Sequence, residues 1–122
     1  MREMHTDPER RRLGLETMGK VYGWEVGDGD GDFFGITVEH LFAEVWTRPG
    51  LTVRERRLVT LTILMCLANE MPLRLHIGAA LKSGDLDDQA VDELILHVAH
   101  YGGWPVAAVA SQVLRAMRSE RA

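Results

Sequence analysis

The sequence has a single cysteine, Cys66, only two lysines (Lys20 and Lys82), four prolines and few aromatic residues, at 7%. One thiol excludes an intramolecular disulfide, a two-cysteine redox centre and a thiolate-rich zinc site within one chain. Strand signals are missing: no run sustains apolar–polar alternation, and no Asn-Gly turn joins two such runs. Long hydrophobic runs are missing as well. The densest, residues 58–68, is interrupted by Thr60 and Thr62 and is about half the ~20 residues that a membrane span needs. Excess positive charge is absent, and a net charge of −4 favours neither nucleic acid nor an anionic membrane as partner. Residues 1–12 lack the apolar segment and small-residue cleavage pattern of a secretory signal. A cytoplasmic protein is therefore expected.

What is present fits one compact domain over residues 1–122, with 46% hydrophobic and 26% charged residues. A domain of this size buries roughly two-thirds of its unfolded surface, enough for a core without staples. Asp7-Pro8-Glu9 has the order of a helix start, with Asp as cap and Pro at the first position, and Gly23 stops that helix. Its apolar stripe (Leu13, Met18, Val21) is weak, so an outer, loosely packed helix is expected, followed by the acidic turn-rich loop 27–32. From Phe33 the apolar residues Val38, Leu41, Phe42, Val45 and Trp46 fall at three- and four-residue spacing, which predicts a helix ending at Arg48-Pro49-Gly50. Thr52 and Glu55 have capping-box spacing before a helix over 53–68. That helix is apolar on nearly every face after its first turn, which predicts burial on all sides, with a second subunit covering what one chain leaves open. Further helices are predicted from Pro72 to Ser83-Gly84, from Asp85 or Asp87 to Gly102-Gly103, and from Pro105 onward. The expected fold is all-α with about six helices.

Several groups are candidates for chemistry. His76, mid-helix beside small residues, is the natural general acid/base, since an imidazole titrates near neutrality; its alternative is a buried histidine satisfied by a carbonyl. His97 and His100 have metal-ligand spacing but no third ligand, so no metal site is expected. Asp28, Asp30, Asp32 and Glu39 occupy positions 1, 3, 5 and 12 of a calcium loop, yet Phe33 stands where the sharp turn requires Gly. Arg54, Arg56 and Arg57 crowd a helix start, where cations oppose the dipole unless an anion joins them. Cys66 lies in the most apolar helix and reads as a small hydrophobe.

Four stretches, in order, carry a family resemblance. Residues 44–51, Glu-Val-Trp-Thr-Arg-Pro-Gly-Leu, resemble the signature of γ-carboxymuconolactone decarboxylases. Arg54, Arg56 and Leu58-Val59-Thr60 match the segment that follows it. Leu73 to Leu81 with His76 and Gly84, and Tyr101-Gly102-Gly103-Trp104-Pro105-Val106-Ala107, are similar to patterns found across the wider superfamily. On these residues the chain resembles the carboxymuconolactone decarboxylase family, related to the alkylhydroperoxidase D proteins. The resemblance implies an alkylhydroperoxidase D-like helical fold, a homo-oligomer (trimer or hexamer), a small acidic substrate and no cofactor. It also implies removal of CO₂ from γ-carboxymuconolactone in aromatic breakdown. Carried over by position, His76 is the proton-transfer group, Arg48, Arg54 and Arg56 hold substrate carboxylates, and Trp46 and Trp104 wall the pocket. Three positions depart from the pattern. Pro72 stands where these decarboxylases have glutamate, and Pro72 and Asn69 replace the redox cysteines of the peroxidase branch. Arg57 takes the place of that branch's relay glutamate. These replacements argue strongly against a thiol peroxidase. What the departures leave open is a member acting on another acidic lactone, or a non-catalytic binding or scaffold protein.

Overall fold

A computed structural model describes residues 7–121, which form six α-helices and one π-helix, with no strand among the described residues. The all-α expectation holds. The chain gathers into two compact units, one ending at Thr52 and one starting at Val53.

The first unit holds α1 (Pro8–Tyr22), α2 (Asp32–Ile36) and the π-helix π1 (Thr37–Val45). Asp7 caps α1 as its sequence predicts: the carboxylate accepts the amides of Glu9 and Arg10 at 3.1 and 3.2 Å, and Gly23 closes the helix at φ 88°. The predicted single helix over 33–46 is instead a short α-turn that widens into π1, where the Trp46 amide reaches back five residues to the Leu41 carbonyl at 3.0 Å. A four-residue apolar repeat (Val38, Phe42, Trp46) suits the wide π-turn about as well as the α-turn, so periodicity could not separate them.

The weak stripe of α1 does not leave the helix loosely held. Gly14 lets its backbone approach π1 so closely that a Cβ there would lie 2.0 Å from the Val38 carbonyl oxygen. Met18 and Val21 then pack with Val38, Phe42 and Trp46 into an aromatic-rich core. Glu39 is buried in this unit, 3.0 Å from Arg11 Nη2 on α1, and accepts the Asp7 amide at 2.9 Å.

The second unit holds α3 (Val53–Cys66), α4 (Glu70–Ser83), α5 (Asp88–Tyr101) and α6 (Trp104–Arg121). Leu61, Met65, Leu73, Ile77, Val91 and Ala110 are completely covered and form its aliphatic centre. Each large side chain buried in this way contributes roughly 2 kcal/mol by leaving water. Gly84, at φ 80°, ends α4 in the left-handed conformation that favours glycine. Asp87 caps α5 by accepting the Ala90 amide at 2.8 Å. Within one chain α3 is covered on one side: Arg57, Leu61 and Met65 face inward, whereas Val59 and Ile63, and Leu67 just past the helix end, are 51%, 54% and 68% exposed, the apolar surface for which the sequence predicts a second subunit.

Candidate functional site

His76 stands mid-way along α4, half-buried. Burial and then the positive charge of Arg57 push its pKa below the ordinary histidine value, because both disfavour the imidazolium. Arg57 comes from α3, at the head of that helix's inward stripe, and its side chain is only 2% exposed. A cation buried so completely needs an acid, and Asp85 supplies it: Arg57 Nε donates to Asp85 Oδ2 at 2.8 Å. The turn after α4 places that acid. Gly84 reverses the chain, the Ser83 hydroxyl accepts the Asp85 amide at 3.2 Å, and the Leu86 amide returns to the Ala80 carbonyl. An imidazole kept neutral beside a buried ion pair is suited to accept a proton and return it.

Of the residues expected from sequence, the second unit contributes His76, Arg54 and Arg56. Arg54 is exposed in the first turn of α3 and Arg56 is half-buried. Trp104 is not brought to His76. Met117 on α6 approaches Gly78 on α4, and Trp104 lies thirteen residues earlier on α6, about 20 Å of helix away. It packs edge-on against His100, ring centroids 5.5 Å apart. In the first unit, Trp46 is only 9% exposed and stacks on Phe42 at 6.1 Å, within that unit's core. Arg48 is exposed on the turn after π1.

The missing carboxylate at Pro72 is not restored by Glu70, which is exposed and six residues ahead of His76, on another face of α4. Sequence reasoning named Arg57 within the arginine cluster but missed its pairing with Asp85 and its effect on His76. The signal was present: Arg57 is in i, i+4, i+8 register with Leu61 and Met65, so it is the arginine of the cluster that turns inward.

The other candidates dissolve. Glu39, the twelfth residue of the acidic spacing, is turned into the core toward Arg11, and Asp28 pairs with Arg11 at 3.2 Å. His97 stacks on Tyr101 at 5.0 Å, and the His100 ring donates from Nδ1 to the Leu96 carbonyl at 2.8 Å. Among the described residues no three His, Cys, Asp or Glu side chains form a metal-holding group, and no helix is long and apolar enough to cross a membrane. Cys66, expected to be buried, is exposed. A groove of about 590 Å³ runs along α1 beside Trp24 and holds none of the expected site residues.

Comparison with known proteins extends what the geometry gives. Over 109 residues the chain is 35% identical to the 4-carboxymuconolactone decarboxylase of Acinetobacter baylyi, covering 83% of this chain and 81% of that protein. Over 70 residues it is 33% identical to the nitrosuccinic acid decarboxylase of Metarhizium robertsii, covering 57% of this chain and 48% of that protein. No solved structure gives a significant match. The model of the carboxymuconolactone decarboxylase family matches residues 31–116, a span that contains His76, Arg57 and Asp85, and the chain belongs to that family.

Proposed function

We propose that the protein is a cofactor-independent decarboxylase of a small acidic substrate, of the 4-carboxymuconolactone decarboxylase kind, with His76 as its proton-transfer group. The observation that carries the reading is the likeness, across 83% of the chain, to a protein named for that reaction. In such a reaction the bond to a carboxylate carbon breaks and CO₂ leaves. The electron pair remains as a dienolate spread into the lactone carbonyl, and a proton must then reach carbon. In the free chain, burial and Arg57 hold His76 neutral. A substrate bearing carboxylates brings negative charge that opposes the effect of Arg57, so docking favours proton uptake at the imidazole that will deliver it. Arg54 and Arg56 are proposed to hold carboxylates by paired N–H donation; Arg48 is retained on its motif match alone.

The same reading includes a cytoplasmic homo-oligomer, trimer or hexamer. Its support is the exposed pair Val59 and Ile63 on α3, continued by Leu67 just past its end, which a soluble chain covers by packing against another copy. A second reading has a specific observation behind it. Pro72 removes the glutamate of the decarboxylase pattern, which favours a member with a different acidic substrate, as the nitrosuccinic acid relative illustrates, or a non-catalytic scaffold. Incubation with γ-carboxymuconolactone, following lactone loss and CO₂ release beside a His76→Ala control, tests both. Turnover that vanishes in the control supports the first reading. A folded oligomer without turnover overturns that substrate and moves the assignment to the second.

A further inference from the structure

A groove of about 440 Å³ runs between α5 and α6, within the size range of small-molecule sites, and His76 does not line it. Its floor is apolar and firmly packed: Ile95, Ala99 and Ala107 are 9%, 8% and 4% exposed. One end carries Trp104, 62% exposed, with its ring braced by His100. The other end carries Arg115.

The charges at that end are unequal. Asp92, also on the groove, is engaged by Arg118 Nη1 at 3.0 Å, and Asp88 is held by Arg118 and Arg121. Arg115, one turn earlier on α6, has no ion-pair partner among the described residues. The groove therefore presents an uncompensated cation at one end and an aromatic face at the other, with alkyl side chains (Ile95, Ala99, Ala107) and the polar Ser111 and Gln112 between. Trp104 and Arg115 are eleven residues apart on one helix, about 16 Å, and Arg115 leans back toward the helix N-terminus. The indole leans the same way, so the guanidinium and the indole stay on the order of 15 Å apart.

We propose that the α5–α6 groove binds an elongated, largely apolar monocarboxylate of the arylalkanoate type, its carboxylate on Arg115 and its ring on Trp104. A dicarboxylate gains less, because Arg115 is the one cation among the lining residues and Asp92 adds negative charge beside it. The site is thus set for chemistry different from that proposed at His76, and it stands whether or not that proposal does.

The test is calorimetric titration of the whole protein with 4-phenylbutyrate, with 4-phenylbutanol as the uncharged control. Arg115→Gln and Ala108→Trp are measured beside it, and subunit number is followed by sedimentation. The expected result is binding of the acid, about tenfold weaker in Arg115→Gln and for the alcohol, since a charge-assisted pair is lost in each. Ala108→Trp, which fills the groove from an exposed position, abolishes binding without changing subunit number. Equal affinity for acid and alcohol, or unchanged affinity in Arg115→Gln, overturns the proposal. A change of subunit number in Ala108→Trp also overturns it and assigns the groove to contact between copies.

Discussion

Among the described residues each unit buries one charged side chain, and the two are opposite in sign: Glu39 in the first, 1% exposed, and Arg57 in the second, 2% exposed. Their settings differ. Glu39 is tied to Arg11 and to the Asp7 amide, so it binds the start of α1 to π1, and Arg11 also reaches Asp28. Arg57 heads an aliphatic stripe, and its partner Asp85 is one-third exposed on a turn. The acid works as a clamp inside an aromatic core. The base reaches beyond its ion pair, because its charge bears on His76. A buried charge is costly in either place, but only in the second unit does that charge bear on a titratable candidate for catalysis.

The sharpest way to break the comparison is through glycine. A Cβ at Gly14 meets the Val38 backbone at 2.0 Å, whereas a Cβ at Gly102 meets the Cys66 sulfur at 2.7 Å, which a side-chain rotation relieves, and the Val98 carbonyl oxygen at a milder 3.1 Å. Gly14→Ala is expected to lose about 3 kcal/mol or more, and Gly102→Ala about 1 kcal/mol, in urea unfolding. Equal losses would show that π1 yields as easily as a side chain, and that the first unit is not locked at this crossing.

The ion pairs come next. Asp85→Ala leaves the Arg57 guanidinium buried without its acid and is expected to cost about 3 kcal/mol. Arg57→Met, which removes the charge itself, is expected to cost less, because a buried pair is often replaceable by apolar volume. In the first unit Glu39→Gln keeps an acceptor for the Asp7 amide and leaves Arg11 its contact with Asp28, so about 1 kcal/mol is expected. Should Glu39→Gln prove as damaging as Asp85→Ala, the second partner of Arg11 does not matter. The same variants move His76 in opposite directions in an NMR titration: up toward the ordinary value in Arg57→Met, further down in Asp85→Ala.

Much of this was legible in the sequence, but unevenly. The stop at Gly23 and the breaks at Gly84 and Gly102-Gly103 were readable because left-handed turns and caps depend on local residue type. The π-helix was not, because its four-residue apolar repeat is shared with an α-helix. The packing of α1 was misjudged because Gly14 contributes closeness rather than hydrophobic area. At the candidate site, His76 was singled out from its chemistry and the motif around it, whereas the inward turn of Arg57 was hidden in a cluster of three arginines. Only the register with Leu61 and Met65 separates it from Arg54 and Arg56. Trp46 and Trp104 were grouped as pocket walls by motif, and the fold gives one to a core and the other to the far end of α6.

The smallest expected effect is the pH dependence contributed by His76, and its sign follows from the direction of the shift. The folded-state pKa lies below the ordinary value of 6.5, so between the two the unfolded chain binds a proton that the folded chain refuses. Stability therefore falls as pH drops through 6.5 and stops falling once the folded imidazole also titrates; above 6.5 the group contributes no slope. Urea unfolding of wild type and His76→Gln at neutral pH, and about two units lower, isolates this share. The variant is expected to lose less stability on acidification than wild type. Arg57→Met should fall between them, since it lifts one of the two causes and leaves burial in place. A wild type and His76→Gln that lose stability in parallel would mean that the imidazole titrates alike in both states. The contrast between the buried base and the buried acid would then reduce to packing alone.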